Sequence, residues 1–125
     1  MLYSVDTGKY VGKLPHKTDF NRWMKKLPIS AYQRIIDELN TKIDASDINT
    51  SSWIPGANWN GTVYEPIFHA CDDNKDASGL FFGLILFYLL MTRQDVVWGF
   101  GKYEKDGKPI RGITYFVISN PPERE

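Results

Sequence analysis

The chain has few of the residues from which disulfides and metal sites are built. Its 125 residues include one cysteine, Cys71, and two histidines, His16 and His69. A single cysteine cannot form an internal disulfide, and structural zinc sites need several cysteines or histidines at fixed spacings. The sequence therefore predicts neither a disulfide scaffold nor a metal site, and we expect no cofactor.

The chain also lacks an excess of charge of either sign. Fifteen Lys and Arg residues balance fifteen Asp and Glu residues. No overall field then draws the protein toward nucleic-acid phosphates or anionic lipid. One local basic segment exists, made of Lys9, Lys13, His16, Lys17, Arg22, Lys25 and Lys26. The helix predicted to follow it carries outward charges of both signs, so we do not expect nucleic-acid binding.

No segment has the form of a secretory signal or a membrane span. Residues 1–6 lack the basic and apolar parts of a signal peptide, which favours a cytoplasmic protein. The longest apolar run, Ala77–Met91, is shorter than the roughly 20 residues that a spanning helix needs. Asp76 before the run and Arg93 after it are typical of a helix start and stop. We therefore expect a buried core helix and no membrane partner.

Apolar spacing elsewhere predicts a single α+β domain over residues 1–120, followed by a frayed tail at residues 121–125. Two N-terminal helices are indicated by apolar residues at i, i+3, i+4 and i+7. Their buried stripes are Phe20, Trp23, Met24 and Leu27, and then Tyr32, Ile35, Ile36, Leu39 and Ile43. Strand-like segments Val96–Tyr103 and Ile110–Ile118 flank the turn signal Asp106-Gly107. The predicted architecture is an N-terminal helical pair and a central buried helix packed on a small antiparallel sheet, which is built around the C-terminal β-hairpin.

The predicted hairpin has two unlike faces. A two-residue turn places Gly101 opposite Gly112 and Gly99 opposite Thr114. One face is apolar and is expected to pack on the core helix through Val96, Trp98, Phe100, Ile113, Tyr115 and Val117. The other face carries the three glycines and should present a shallow floor of bare backbone. Either a helix covers that floor or a ligand or partner occupies it.

The concentration of titratable side chains around His69 supports a second hypothesis. On a helix, Asp72 and Asp73 lie three and four residues beyond His69, a spacing that couples an imidazole to a carboxylate. A small hydrolase centred on His69 with Asp72 or Asp73 would follow. The simpler interpretation is that these acids are solvated at the end of one helix and the start of the next. Cys71 would act as a nucleophile only beside a base and is otherwise a packed thiol.

The aromatic content favours protein binding over both catalysis and small-molecule binding. The polar loop at residues 44–61 contains Trp53 and Trp59, which a disordered linker would lack. Trp, Tyr and Arg are the residues that anchor interfaces. The sequence thus favours a small cytoplasmic protein-binding module, an inhibitor or regulator of the kind found by analogy among phage and mobile-element accessory proteins. Its predicted contact residues are Trp53, Trp59, Tyr64, Gly99, Gly101, Tyr103, Arg111, Gly112 and Thr114.

The runner-up hypothesis is a small-molecule or nucleotide site on the glycine floor. Arg93, Lys102 or Arg111 would then contact an anionic ligand. The segment Gly99-Phe100-Gly101 spells only the first part of a dinucleotide loop, since Glu104 stands where the third glycine would be. The sequence specifies neither the identity of a partner nor the oligomeric state.

Overall fold

The computed structural model describes residues 1–45, 48–50, 61–101, 104–105, 108–109 and 114–123. Within these ranges the chain forms helices and a mixed sheet, so the predicted α+β class is confirmed. The helices are α1 (Lys17–Met24), α2 (Ile29–Asp44), α3 (Glu65–Ala70) and α4 (Lys75–Thr92). The strands are β1 (Leu2–Ser4), β2 (Lys9–Val11), β3 (Ile48–Thr50), β4 (Trp98–Phe100), β5 (Glu104–Lys105), β6 (Lys108–Pro109) and β7 (Thr114–Val117).

Helices α1 and α2 bury the sides that their apolar spacing defines. In α1 the buried residues are Phe20 and Trp23. In α2 the buried residues are Ala31, Ile35, Leu39 and Ile43. They are spaced four residues apart and therefore lie on one side of the helix. Pro28 precedes α2 in an extended conformation, which ends the previous helical segment and begins the next.

Helix α4 is the centre of the hydrophobic core. The Asn74 side chain caps its first turn by accepting a hydrogen bond from the Ala77 N–H at 2.9 Å. Of the described helices, α4 is the one long and apolar enough to cross a membrane by length and composition, and 44% of it is buried inside the fold. Phe81 contacts Phe20 and Trp23 of α1, and Phe87 contacts the sheet through Phe100. These contacts make α4 a core helix of this domain.

The described part of the main sheet contains five strands in the order β2-β1-β4-β7-β3. Strands β1 and β4 run parallel, whereas β1–β2, β4–β7 and β3–β7 are antiparallel. The sheet is thus mixed, which corrects the prediction of an antiparallel sheet. All four described helices lie between β1 and β4 in the chain, and such a long crossover allows two strands to pair in parallel.

The C-terminal strands pair in two registers. Strands β5 and β6 pair Lys105 with Lys108, as a two-residue turn at 106–107 predicts. Strands β4 and β7 pair Gly99 with Phe116, whereas a two-residue turn alone predicts Gly99 opposite Thr114. The returning strand therefore holds two more residues than the outgoing one between these paired segments. A shift of two keeps the same side chains on the same face.

The core-facing side of the sheet agrees with the sequence analysis at its centre and differs at its edge. Trp98 is 2% exposed and Tyr115 is fully buried, while Phe100 and Val117 pack against the core. Val96, which precedes β4, is 38% exposed, so it does not belong to the buried side as the sequence predicted. Ile113 lies outside the described residues.

Candidate functional site

The glycine floor is filled at its centre by the hairpin itself. Gly99 pairs with Phe116 across β4 and β7. A Cβ atom added at Gly99 would lie 2.7 Å from Phe116 Cε2 and 2.8 Å from Ile118 Cδ1. Gly99 is therefore buried, which corrects the expectation of bare backbone there. A Cβ atom at Gly101 would similarly lie 3.0 Å from Val5 Cγ2, so the β1–β2 turn covers that glycine.

Of the remaining predicted contact residues, Tyr64 is buried, and the side chains of the others lie outside the described part of the structure. Tyr64 is 4% exposed, and its ring meets Phe82 edge-on with the centroids 5.2 Å apart. Burial, with a smaller effect from Glu38, raises the pKa of Tyr64 to about 12. Tyr64 is thus a core residue and not a surface contact. Thr114 is described only through its backbone pairing with Thr50, and Trp53, Trp59, Tyr103, Arg111 and Gly112 lie outside the described residues.

Arg93, a predicted anion contact, already donates hydrogen bonds to other side chains of the protein. Its Nη2 donates to Asp44 Oδ1 and to Asp95 Oδ2, both at 2.7 Å, and its Nη1 donates to Asn40 Oδ1 at 3.1 Å. Hydrogen bonding to Asp95 and Asp44 raises the pKa of Arg93, and the pKa of Asp95 is lowered in turn. The guanidinium fastens the end of α4 to α2. Lys102, the second predicted anion contact, lies outside the described residues.

The titratable groups around His69 form an exposed cluster. His69 Nδ1 lies 2.9 Å from Asp73 Oδ1, yet the His69 side chain is 61% exposed. Asp72 instead pairs with Lys26, whose Nζ lies 3.2 Å from Asp72 Oδ2. Both aspartates have positive φ, at 55° and 58°, so they shape the sharp turn between α3 and α4. This geometry favours the interpretation as solvated acids at a helix boundary.

Cys71 does not complete a catalytic set with His69. The side chain is buried, and desolvation raises the pKa of the thiol to about 11. A neutral thiol of this kind is a weak nucleophile at physiological pH. Among the described residues, no three His, Cys, Asp or Glu side chains are grouped so as to hold a metal ion.

A group of half-buried aromatic side chains lies on the side of the sheet opposite α4, here termed the outer face. A row of paired positions crosses it, because Tyr10 pairs with Tyr3, Tyr3 with Gly99, and Gly99 with Phe116. The outer face consists of Tyr3, Val5, Tyr10, Val97, Gly99, Phe116 and Ile118. The rings of Tyr3 and Tyr10 meet edge-on with centroids 5.2 Å apart. In the described part of the chain, none of these side chains belongs to the apolar set that packs on the core.

The segment after β7 returns across this face. The Ile118 N–H donates to the Val97 carbonyl oxygen at 2.9 Å, which extends the pairing of β7 with β4. Four residues later, the Pro122 carbonyl oxygen accepts a hydrogen bond from the Tyr10 hydroxyl. Since β4 and β1 separate β7 from β2 in the sheet, the chain must pass both strands between these two contacts.

Comparison with known proteins gives no match. No family model fits the chain, and no curated protein or solved structure is similar to it. The candidate site therefore has to be judged on its own geometry.

A cleft of about 310 Å³ adjoins the outer face at the β2 edge. It lies between β2 and the end of α4, and its lining residues are Met1, Leu2, Tyr10, Val11, Gly12, Met91, Thr92 and Gln94. Its size is near the lower bound for small-molecule sites, which hold a few converging polar groups. This lining contains no charged side chain, so the aromatic row remains the better candidate site.

Proposed function

We propose that the chain is a small protein-binding module that acts through the outer face of its sheet. The observation that carries the proposal is the aromatic row of Tyr3, Tyr10 and Phe116, which is half-buried and yet does not pack on the core. Aromatic side chains are enriched at the centres of protein interfaces, where they supply much of the binding energy. Because these rings are half-buried and lie outside the core, a partner can still cover their exposed area.

The row is also held in place before any partner arrives. The Tyr3 and Tyr10 rings contact each other edge-on, and Phe116 lies against the backbone of Gly99. Rings restrained in this way lose little conformational entropy when a partner covers them, which favours tight binding.

This proposal keeps the binding function predicted from the sequence and changes its surface. The glycine floor is replaced by the aromatic row, because Phe116 and Ile118 fill the space above Gly99. An inhibitory or regulatory role in the cytoplasm remains part of the proposal. The small-molecule hypothesis loses its support, since Gly99 is covered and the Arg93 guanidinium is paired.

Photo-crosslinking inside cells that express the protein tests the proposal. A photoreactive phenylalanine analogue replaces Tyr3 on the outer face, and in a matched control it replaces Tyr88 on α4. Tyr88 is a suitable control because it is an aromatic residue that is 38% exposed on the helical side of the domain. We expect discrete protein adducts from position 3 and none of the same mass from position 88. Identical adducts from both positions, or none from position 3, would contradict the proposal.

A further inference from the structure

We propose that the Tyr3–Tyr10 pair is a receptor for a proline-rich extended segment of a partner protein. This inference rests on the proposed function and names the class of partner that the outer face recognises. Its starting point is that the Tyr10 hydroxyl donates a hydrogen bond to the carbonyl oxygen of the chain's own Pro122, which follows Pro121.

The conformation of the seated segment follows from its two prolines. Each ring fixes φ near −65°, and a residue before a proline is kept out of the helical region. Pro121 is restricted in both ways, and Asn120 in the second way. Pro121 is thereby restricted to the polyproline II region, in which carbonyl groups have no internal hydrogen bonds.

The contact made by Tyr10 is of the kind that such a segment needs. A proline has no N–H, so its backbone can only accept hydrogen bonds. Recognition therefore requires aromatic surface for the rings and a donor for the carbonyl groups. The edge-on ring pair of Tyr3 and Tyr10 supplies the surface, and the Tyr10 hydroxyl donates to Pro122.

The chain's own segment is bonded to Tyr10 but stays open to solvent. Residues 119–123 are all exposed, although Tyr10 holds Pro122 by a hydrogen bond. A tethered segment competes as though present at a millimolar concentration, which a partner with more contacts can exceed. Residues 119–123 therefore act as an internal competitor that a partner's proline-rich segment displaces.

The test is a chemical-shift titration of the full chain with a peptide of residues 119–123, added up to millimolar concentration. A matched peptide carries alanine at both proline positions. The chain is used unmodified, as the variant Pro121→Ala/Pro122→Ala, and as that variant with Tyr10→Phe added. The tail substitutions remove the internal competitor, and Tyr10→Phe removes the hydroxyl while keeping the ring.

We expect the proline peptide to bind the Pro121→Ala/Pro122→Ala variant about tenfold more tightly than the unmodified chain, because the tethered competitor is gone. Adding Tyr10→Phe should weaken that binding by about tenfold, the effect of one hydrogen bond. The alanine peptide should not shift the Tyr3 and Tyr10 signals. Equal binding of both peptides, equal binding to both chains, or no effect of Tyr10→Phe would overturn the inference.

If the double tail variant does not fold, the Pro122 signals of the Tyr10→Phe chain replace it. Movement of those signals toward their positions in the free peptide supports the inference, and unchanged signals overturn it. If the peptide arms fail while crosslinks from position 3 persist, the proline class is wrong and the outer face is still an interface. If both fail, the proposed function fails as well.

Discussion

Replacing Gly99 with alanine tests whether the centre of the outer face is filled. The added Cβ atom would lie 2.7 Å from Phe116 Cε2 and 2.8 Å from Ile118 Cδ1, so both side chains must move. Overpacking of this kind costs about 1–3 kcal/mol. Removing a glycine from a strand interior offsets about 0.5–1 kcal/mol of that. We therefore expect Gly99→Ala to lower the free energy of unfolding by about 1 kcal/mol, within a range of about 0–2.5 kcal/mol.

Urea denaturation, followed by tryptophan fluorescence, measures this change in the free energy of unfolding. A double-mutant cycle with Phe116→Ala identifies the contact that causes it. A Phe116→Ala background removes one of the two close contacts and leaves Ile118 Cδ1 at 2.8 Å, so Gly99→Ala should cost less stability there than in the unmodified chain. The matched control is Gly83→Ala in α4, where an added Cβ meets no atom within 4 Å. That control should raise stability by about 0.5–1 kcal/mol, since alanine favours a helix. A stabilising Gly99→Ala, or an equal loss with and without Phe116, would refute the covered floor.

Three further predictions follow from the pKa shifts and the Arg93 network. Burial raises the pKa of the Cys71 thiol to about 11. A disulfide reagent at about pH 8 should therefore react roughly a hundredfold more slowly with the native protein than with the urea-unfolded chain. Equal reaction rates would contradict this prediction. Burial also raises the pKa values of Tyr64 and Tyr115, whereas the unfolded chain ionises its tyrosines near pH 10. The free energy of unfolding should therefore fall as the pH rises above about 10. Tyrosinate absorbance and circular dichroism should then change together. Ionisation of Tyr64 and Tyr115 in a still-folded protein would contradict this prediction. Arg93→Gln should lower stability by about 1 kcal/mol near pH 7, a value reduced for the exposed partner carboxylates. Since the pKa of Asp95 is lowered in the fold, the Asp95 part of this contribution is present above about pH 4 and should decline in denaturation curves recorded at progressively lower pH.

The helices were predictable because their signal is local and repeated. The four-residue spacing of Ile35, Leu39 and Ile43 recurs over several turns, and the apolar run of α4 has charged residues at both ends. The core-facing side of the hairpin was also predictable. Its alternation places Trp98 and Phe100 inward in either register, because a shift of two residues leaves the faces unchanged.

The features that define the outer face depend on non-local pairing. Strands of three residues, such as β1 and β2, carry too little alternation to identify the face on which Tyr3 and Tyr10 lie. The parallel pairing of β1 with β4 joins segments more than 90 residues apart. The turn signal at 106–107 predicts the register of β5 with β6 but not that of β4 with β7. Phe116 lies over Gly99 because of the β4–β7 register. Sequence pattern alone therefore left the glycine face open.

Nuclear Overhauser spectroscopy of the unmodified chain detects whether Tyr10 and Pro122 are in contact. We expect cross-peaks between the side chains of Tyr10 and Pro122, together with cross-peaks between the Tyr3 and Tyr10 rings. Pro122 signals at the same positions as in the free 119–123 peptide, with no cross-peak to Tyr10, would contradict this expectation.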